Sequence, residues 1–170
     1  QSEIEPDSTV IATLSAYQQQ GQELLDEVIS NTDAKLEGDR NVVRTEQTNL
    51  GHLLGEAYRT YKLVNADFGV MNSGGVRDSI AKGEVTYRDV LTVQPFGNFV
   101  TKATMTGAEV KAYLDVVATM TSGSGAYAQL DNISLTVDCD LSDVTIRDIN
   151  GKGFDLADTY TFSVISFSAA

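Results

Sequence analysis

The chain has 170 residues, 42 % of them apolar, and a formal net charge of −12. That is enough for one domain with a substantial core. The negative balance argues against nucleic-acid backbones and anionic membranes as partners of the surface as a whole, and no run of about 18 apolar residues is present to span a bilayer. Cys139 is the sole cysteine, so no internal disulfide can form. His52 is the sole histidine, too few for a His-rich metal centre. The aspartates could hold Ca²⁺ or Mg²⁺, but no EF-hand spacing is visible. The opening QSEIEPDSTV has no Met and reads like a linker, as expected of a piece excised from a larger protein.

In chain order, Ser8 to Ser30 reads as one long helix, with Val10, Ile11, Leu14, Tyr17, Gly21, Leu24, Leu25, Val28 and Ile29 recurring at helical spacing and Asp7 as cap. SNTDAKLEGDRN is a connector or short strand. A second helix fits Asn49 to Lys62, capped by Thr48. ADFGVM is a buried strand that runs into a Gly-rich loop. Thr86 and Asp89 open a short helical turn with a capping box, and NFVTKATM alternates as a strand. Thr106 and Glu109 make a second capping box, ahead of a helix with a Val110, Tyr113, Leu114, Val117 stripe. SGSGAYAQ reads as a flexible loop, NISLTVDCD and DVTIRDI as strands, NGKG as a turn, and TYTFSVISF as a closing strand. Helices interspersed with strands, and hairpin-type turns late in the chain, predict an α+β fold with a mixed sheet.

Three places could carry chemistry. In Asn72-Ser73-Gly74-Gly75-Val76-Arg77, glycines permit φ > 0 and close backbone approach, successive N–H groups could nest an anion, and Arg77 adds a bidentate donor. An ordinary Gly-Gly turn is the plain alternative. In QPFGN, Phe96 sits on a turn where it could stack on a flat ligand or plug the core, and Asn98 could read a base edge. Arg40 and Arg44 can share a side whether their segment is helical or extended. They are either a cationic clamp or two solvated side chains. His52 lies within a helix pattern near no nucleophile and reads as a partly buried structural residue, so no Ser-His-Asp arrangement is expected.

The segments GDRNVVRTEQTNLGHLLGEA, ADFGVMNSGGVRDSIAKGEVTYRDVLTVQPFGN and MTGAEVKAYLD resemble the C-terminal domain of the bacterial periplasmic 5'-nucleotidase/UDP-sugar hydrolase family. The likeness runs from about Asp39 to Phe167. It implies a two-domain metallophosphoesterase, in which an N-terminal domain holds two divalent metals and a C-terminal domain binds the nucleotide and rotates to deliver its phosphate. Residues 1–33 would then be an inter-domain linker helix region, and 34–170 the nucleotide-binding domain, truncated at its C-terminus. This chain would hold no cofactor and no catalytic residue, and would be inactive alone.

The resemblance carries Arg40, Arg44 and Arg77 onto phosphate-contacting arginines, and Asn72 with Gly74 and Gly75 onto the nucleotide loop. Phe96 and Phe167 fall on an aromatic clamp for the base, Asn98 on a base-contacting residue, and Gly125 on a glycine of the base pocket. It implies AMP, adenosine or a UDP-sugar as ligand, the metallophosphoesterase domain as partner, and a periplasmic, cell-surface or secreted location. Two departures stand out. The family's Gly-Gly-Asp, whose Asp holds the ribose, should follow Phe167 closely, but the sequence stops at Ala170, and Ser168 replaces an Asn frequent in close relatives. A relative acting on 2',3'-cyclic nucleotides or sulfur compounds shares the same plan, and a non-catalytic interaction module is the third possibility.

Overall fold

The computed structural model describes residues 7–120 and 123–169. It is α+β, with six helices among the described residues: α1 (Ser8–Leu25), α2 (Arg40–Val43), α3 (Asn49–Thr60), α4 (Tyr87–Val93), α5 (Gly107–Val117) and α6 (Ser166–Ala169). The strands are β1 (Val28–Thr32), β2 (Phe68–Asn72), β3 (Gly83–Thr86), β4 (Val100–Thr106), β5 (Ala128–Asp131), β6 (Ile133–Asp138), β7 (Asp143–Ile149) and β8 (Thr159–Ile165). The central sheet is mixed, in the order β4-β8-β2-β5, with β8 and β2 parallel and the outer pairings antiparallel. β1 pairs with β3, and β6 with β7, as separate two-stranded ribbons.

Alternation along β2 and β8 divides the core in two. Phe68, Val70, Tyr160, Phe162 and Val164 face α5 and β7, where they meet Val110, Leu114, Val144 and Ile149. Met71 and Ile165 face the other way, onto Val43, Leu50, Val76, Val85 and Val93. Because β8 is interior to the sheet and covered on both sides, its period-2 pattern is buried throughout from Phe162 to Ile165. The α3 helix lies directly on β2. A Cβ at Gly69 would come within 2.5 Å of the Gly55 carbonyl oxygen, so a side chain at that position would push the helix off the sheet.

Both capping boxes form. Thr86 and Asp89 close the start of α4, and Thr106 and Glu109 that of α5. Asp7 caps α1 by accepting from the Thr9 and Val10 N–H groups. The first helix is shorter than its periodicity suggests. It ends at Leu25, and Val28 and Ile29 turn into β1, because β-branched residues there gain a ladder with β3. The Val10, Ile11, Leu14, Tyr17, Leu24 stripe is exposed. The predicted loop SGSGAYAQ gives up Ala128 and Gln129 to β5, and its Ser122 lies outside the described residues. His52 is exposed rather than partly buried, its ring set beside the Asp131 carboxylate at 3.3 Å.

Asp67 ties the start of β2 to β8. Its carboxylate accepts from the Thr161 N–H at 2.9 Å and the Thr161 hydroxyl at 2.7 Å, and further from Asn150 and Lys152. Burial pushes its pKa up, but these hydrogen bonds outweigh it and hold the group at about 2. Its unfolded value is about 3.9, so the stabilisation is complete above about pH 4 and is lost as pH falls toward 2. Asp67→Asn should flatten this acid limb. Between about pH 7 and about pH 3, the urea midpoint of the parent chain should fall further than that of the variant.

Candidate functional site

The C-terminal ends of β2 and β8 and the N-terminal end of β4 point the same way, and a cavity of about 810 Å³ opens there. Its size is that of a small-molecule site. Val70, Ile165, Tyr113 and Val117 make an apolar floor and wall, and Asn72, Gly74, Gly75, Arg77, Phe96, Asn98, Gly125 and Phe167 are among the rest of the lining. Burial pushes the Tyr113 hydroxyl pKa up from its ordinary value.

The Gly-rich loop leaves β2 as a tight helical turn, Ser73–Gly75. Neither glycine is there for a positive φ. Gly74 is glycine because a Cβ would sit 3.0 Å from both Cα and carbonyl oxygen of Gly125, and Gly75 because a Cβ would meet the Met71 methyl at 2.3 Å. Nor do successive N–H groups form a nest. The Ser73 and Gly74 N–H groups donate to the Tyr127 and Gly125 carbonyls, and those of Val76 and Arg77 to Ser73 and Val93. Four of the loop's N–H groups are thus engaged, with the 123–127 segment, with α4 and within the loop itself, which leaves side chains to supply most of the contacts to an anion there.

Those side chains are arginines. The α2 turn is helical, with Asp39 as its cap, and this places Arg40 and Arg44 one turn apart. The corner before it is fixed by Glu37, whose carboxylate accepts from the Asp39 N–H at 2.8 Å and the Ser79 hydroxyl at 3.0 Å. Arg44 donates from Nη1 to the Gly123 carbonyl at 3.1 Å, while its buried Nε has no partner among the described residues. Burial first, then the charges of Arg40 and Arg77, pull the Arg44 pKa below its usual value, although a guanidinium stays charged at such a site. Among the described residues, none of the three arginines forms an ion pair with a carboxylate. Three unneutralised positive charges within mutual reach, in a chain of net charge −12, are an arrangement that costs stability.

Two phenyl rings flank the cavity mouth. Phe96, on the turn between Pro95 and Gly97, is 56 % exposed, and Phe167, in α6, is 73 % exposed. Phe96 is therefore no core plug. The serines on either side of Phe167 anchor it. Ser166 Oγ donates to Asn98 Oδ1 at 3.3 Å, and Ser168 Oγ to Asn72 Oδ1 at 3.2 Å. Asn72 also donates to the Gly125 carbonyl at 3.3 Å, so both ends of its amide are engaged within the protein. The Asn98 amide nitrogen carries no such bond among the described residues and is left to donate into the cavity.

All ten residues singled out in the sequence thus lie on or beside one cavity, eight in its lining and Arg40 and Arg44 in the arginine cluster next to it. Sequence reasoning did not identify Tyr113 and Val117, whose helical stripe looked like core, or Gln94, whose side chain bridges Tyr58 and the Gly75 carbonyl. Among the described residues, no group of three or more His, Cys, Asp or Glu side chains could hold a metal ion, so no step of chemistry is assigned to a metal in this chain.

The sequence matches the family described as 5'-nucleotidase, C-terminal domain, over residues 28–170. It is 54 % identical to a 5'-nucleotidase of Vibrio vulnificus (strain CMCP6), an alignment covering 100 % of this chain and 30 % of that protein. It is 44 % identical to Protein UshA of Escherichia coli (strain K12), over 98 % of this chain and 30 % of that protein. Among solved structures, the 5'-nucleotidase precursor from Thermus thermophilus superposes with a TM-score of 0.80 at 29 % identity, over 95 % of this chain and 34 % of the other. The chain spans about 30 % of the length of the curated relatives it matches, and it belongs to the 5'-nucleotidase C-terminal domain family.

Proposed function

We propose that the cavity binds the nucleotide of a two-domain phosphoesterase, with the base between Phe96 and Phe167 and the phosphate against Arg40, Arg44 and Arg77. The observation that carries this is the arginine cluster. Three guanidinium groups without a carboxylate partner among the described residues stand beside an aromatic-walled apolar cavity, and an anionic ligand with a flat ring satisfies both halves. Asn98 would donate to an acceptor on the base edge. AMP, adenosine and UDP-sugars share this chemistry.

In the whole protein, the hydrolytic step belongs to a separate metallophosphoesterase domain with two divalent metal ions, and residues 34–170 present the substrate to it. Residues 1–33 are the connection. The exposed stripe of α1, with Leu14 at 54 % and Tyr17 at 72 % exposed, is the kind of apolar face that a neighbouring domain covers. The same reading puts the protein in the periplasm or at the cell surface. No helix among the described residues is long and apolar enough to cross a membrane.

The test is a titration of this chain with adenosine and with AMP, followed by ligand-observed NMR. Phe96→Ala should weaken adenosine binding by about 1–3 kcal/mol, the value of one stacking face. Since the ring is more than half exposed, its removal should cost less than about 1 kcal/mol of stability, against about 3–5 for a core phenylalanine. A chain that binds neither ligand while folded would overturn the nucleotide assignment.

A further inference from the structure

The anion-facing side chains and the base clamp are not independent parts. The Arg77 guanidinium lies over the Phe96 ring, 5.5 Å from its centroid, within the range of a cation–π contact. The same guanidinium donates from Nη1 to the Gly74 carbonyl at 3.1 Å, which fixes it to its own loop. Two further bonds hold loop and clamp at a set spacing. Gln94 Nε2 donates to the Gly75 carbonyl at 2.7 Å, and the Arg77 N–H donates to the Val93 carbonyl at 3.1 Å. Gln94 is in turn oriented by the Tyr58 hydroxyl, 3.2 Å from its Oε1. Phe96 follows Gln94 by two residues, across a proline that restricts the backbone.

We infer that Arg77, besides any contact with phosphate, is a positioning residue for the base: it backs Phe96 and holds the ring in place to stack, so that affinity for the uncharged part of the ligand also depends on it. This deepens the nucleotide assignment above and rests on it. Two features of the site support the division of labour. Arg77 is the arginine of the cluster seen over the ring, whereas Arg44 is bonded to the 123–127 segment on the other side of the loop. And Phe96 is 56 % exposed, so the ring is not locked in the core and the cation above it is one of its restraints. A ring with a cation on one face offers the opposite face to a base, and fixing it beforehand removes an ordering cost from binding.

The experiment is a double-mutant cycle read with adenosine, which has no phosphate. Arg77→Gln should weaken adenosine binding about two- to fivefold, the size of an exposed cation–π contact. In the Phe96→Leu background the same change should have no further effect, because the ring through which Arg77 acts is gone. Arg77→Lys, which keeps the cation, should recover part of the loss. Arg44→Gln provides the contrast, since it should weaken AMP more than adenosine. Equal loss in both backgrounds, or no loss of adenosine affinity in Arg77→Gln, would overturn the positioning role while leaving the nucleotide site standing. Failure of the folded parent chain to bind adenosine would remove both.

Discussion

Gln129→Met is expected to destabilise the chain by about 3–5 kcal/mol. Gln129 is fully buried on β5, and every polar atom of its amide is used. Nε2 donates to the Val43 carbonyl at 2.8 Å and the Glu46 carbonyl at 2.7 Å, while Oε1 accepts from the Thr48 N–H at 2.8 Å and the Thr48 hydroxyl at 3.3 Å. One side chain therefore satisfies the C-terminal end of α2 and the N-terminal end of α3, where helices leave carbonyl and N–H groups without intrahelical partners. Methionine matches its length but offers no donor and only a weak acceptor. It leaves at least two buried backbone groups unsatisfied, each costing about 1–3 kcal/mol.

Urea unfolding measures this directly, as a fall in midpoint at constant slope. The corner that Gln129 holds also carries Arg44, so AMP affinity should fall with stability, and more than adenosine affinity. A loss below about 1 kcal/mol would mean that water replaces the amide at this corner.

The parts of the fold written in local chemistry were legible in the sequence. Thr86 with Asp89, and Thr106 with Glu109, fix two helix starts by hydrogen bonds spanning three residues, and both form as expected. What was not legible depends on distant segments. Val28 and Ile29 continue a helical spacing but take up strand because β3 is there to pair with. Gln129 and Asp131 look wrong for a buried strand until α3 and the α2 corner supply their partners.

The site divides in the same way. Its residue types were visible in Asn72–Arg77 and in QPFGN, and so was their concentration of arginine and exposed aromatic. The job of the glycines was not. Sequence suggested a positive φ and a nest of N–H groups, whereas the structure uses the missing Cβ of Gly74 for close contact with Gly125 and turns the Ser73 and Gly74 N–H groups to the 123–127 segment. The requirement at Gly74 is set by a segment some fifty positions along the chain, and no local pattern records it.

The second large effect separates binding from folding. Arg44→Glu should cut AMP affinity by about 4 kcal/mol, close to a thousandfold, from the loss of a charged hydrogen bond and the placing of a like charge against the phosphate. The same change should leave stability within about 1 kcal/mol of the parent or raise it. In the free chain Arg44 faces two other positive charges, and its buried Nε has no partner among the described residues. A carboxylate at this position would pair with Arg40 and Arg77 and relieve their repulsion, offsetting the lost bond to the Gly123 carbonyl. Calorimetric titration with AMP and thermal unfolding of the same sample report the two quantities independently. A variant that loses AMP affinity and stability together would mean that Arg44 serves chiefly to hold the 123–127 segment. Lost affinity with stability kept would mean that the cluster is maintained against its own repulsion for the sake of an anion, as expected where a binding site is strained relative to the rest of the fold.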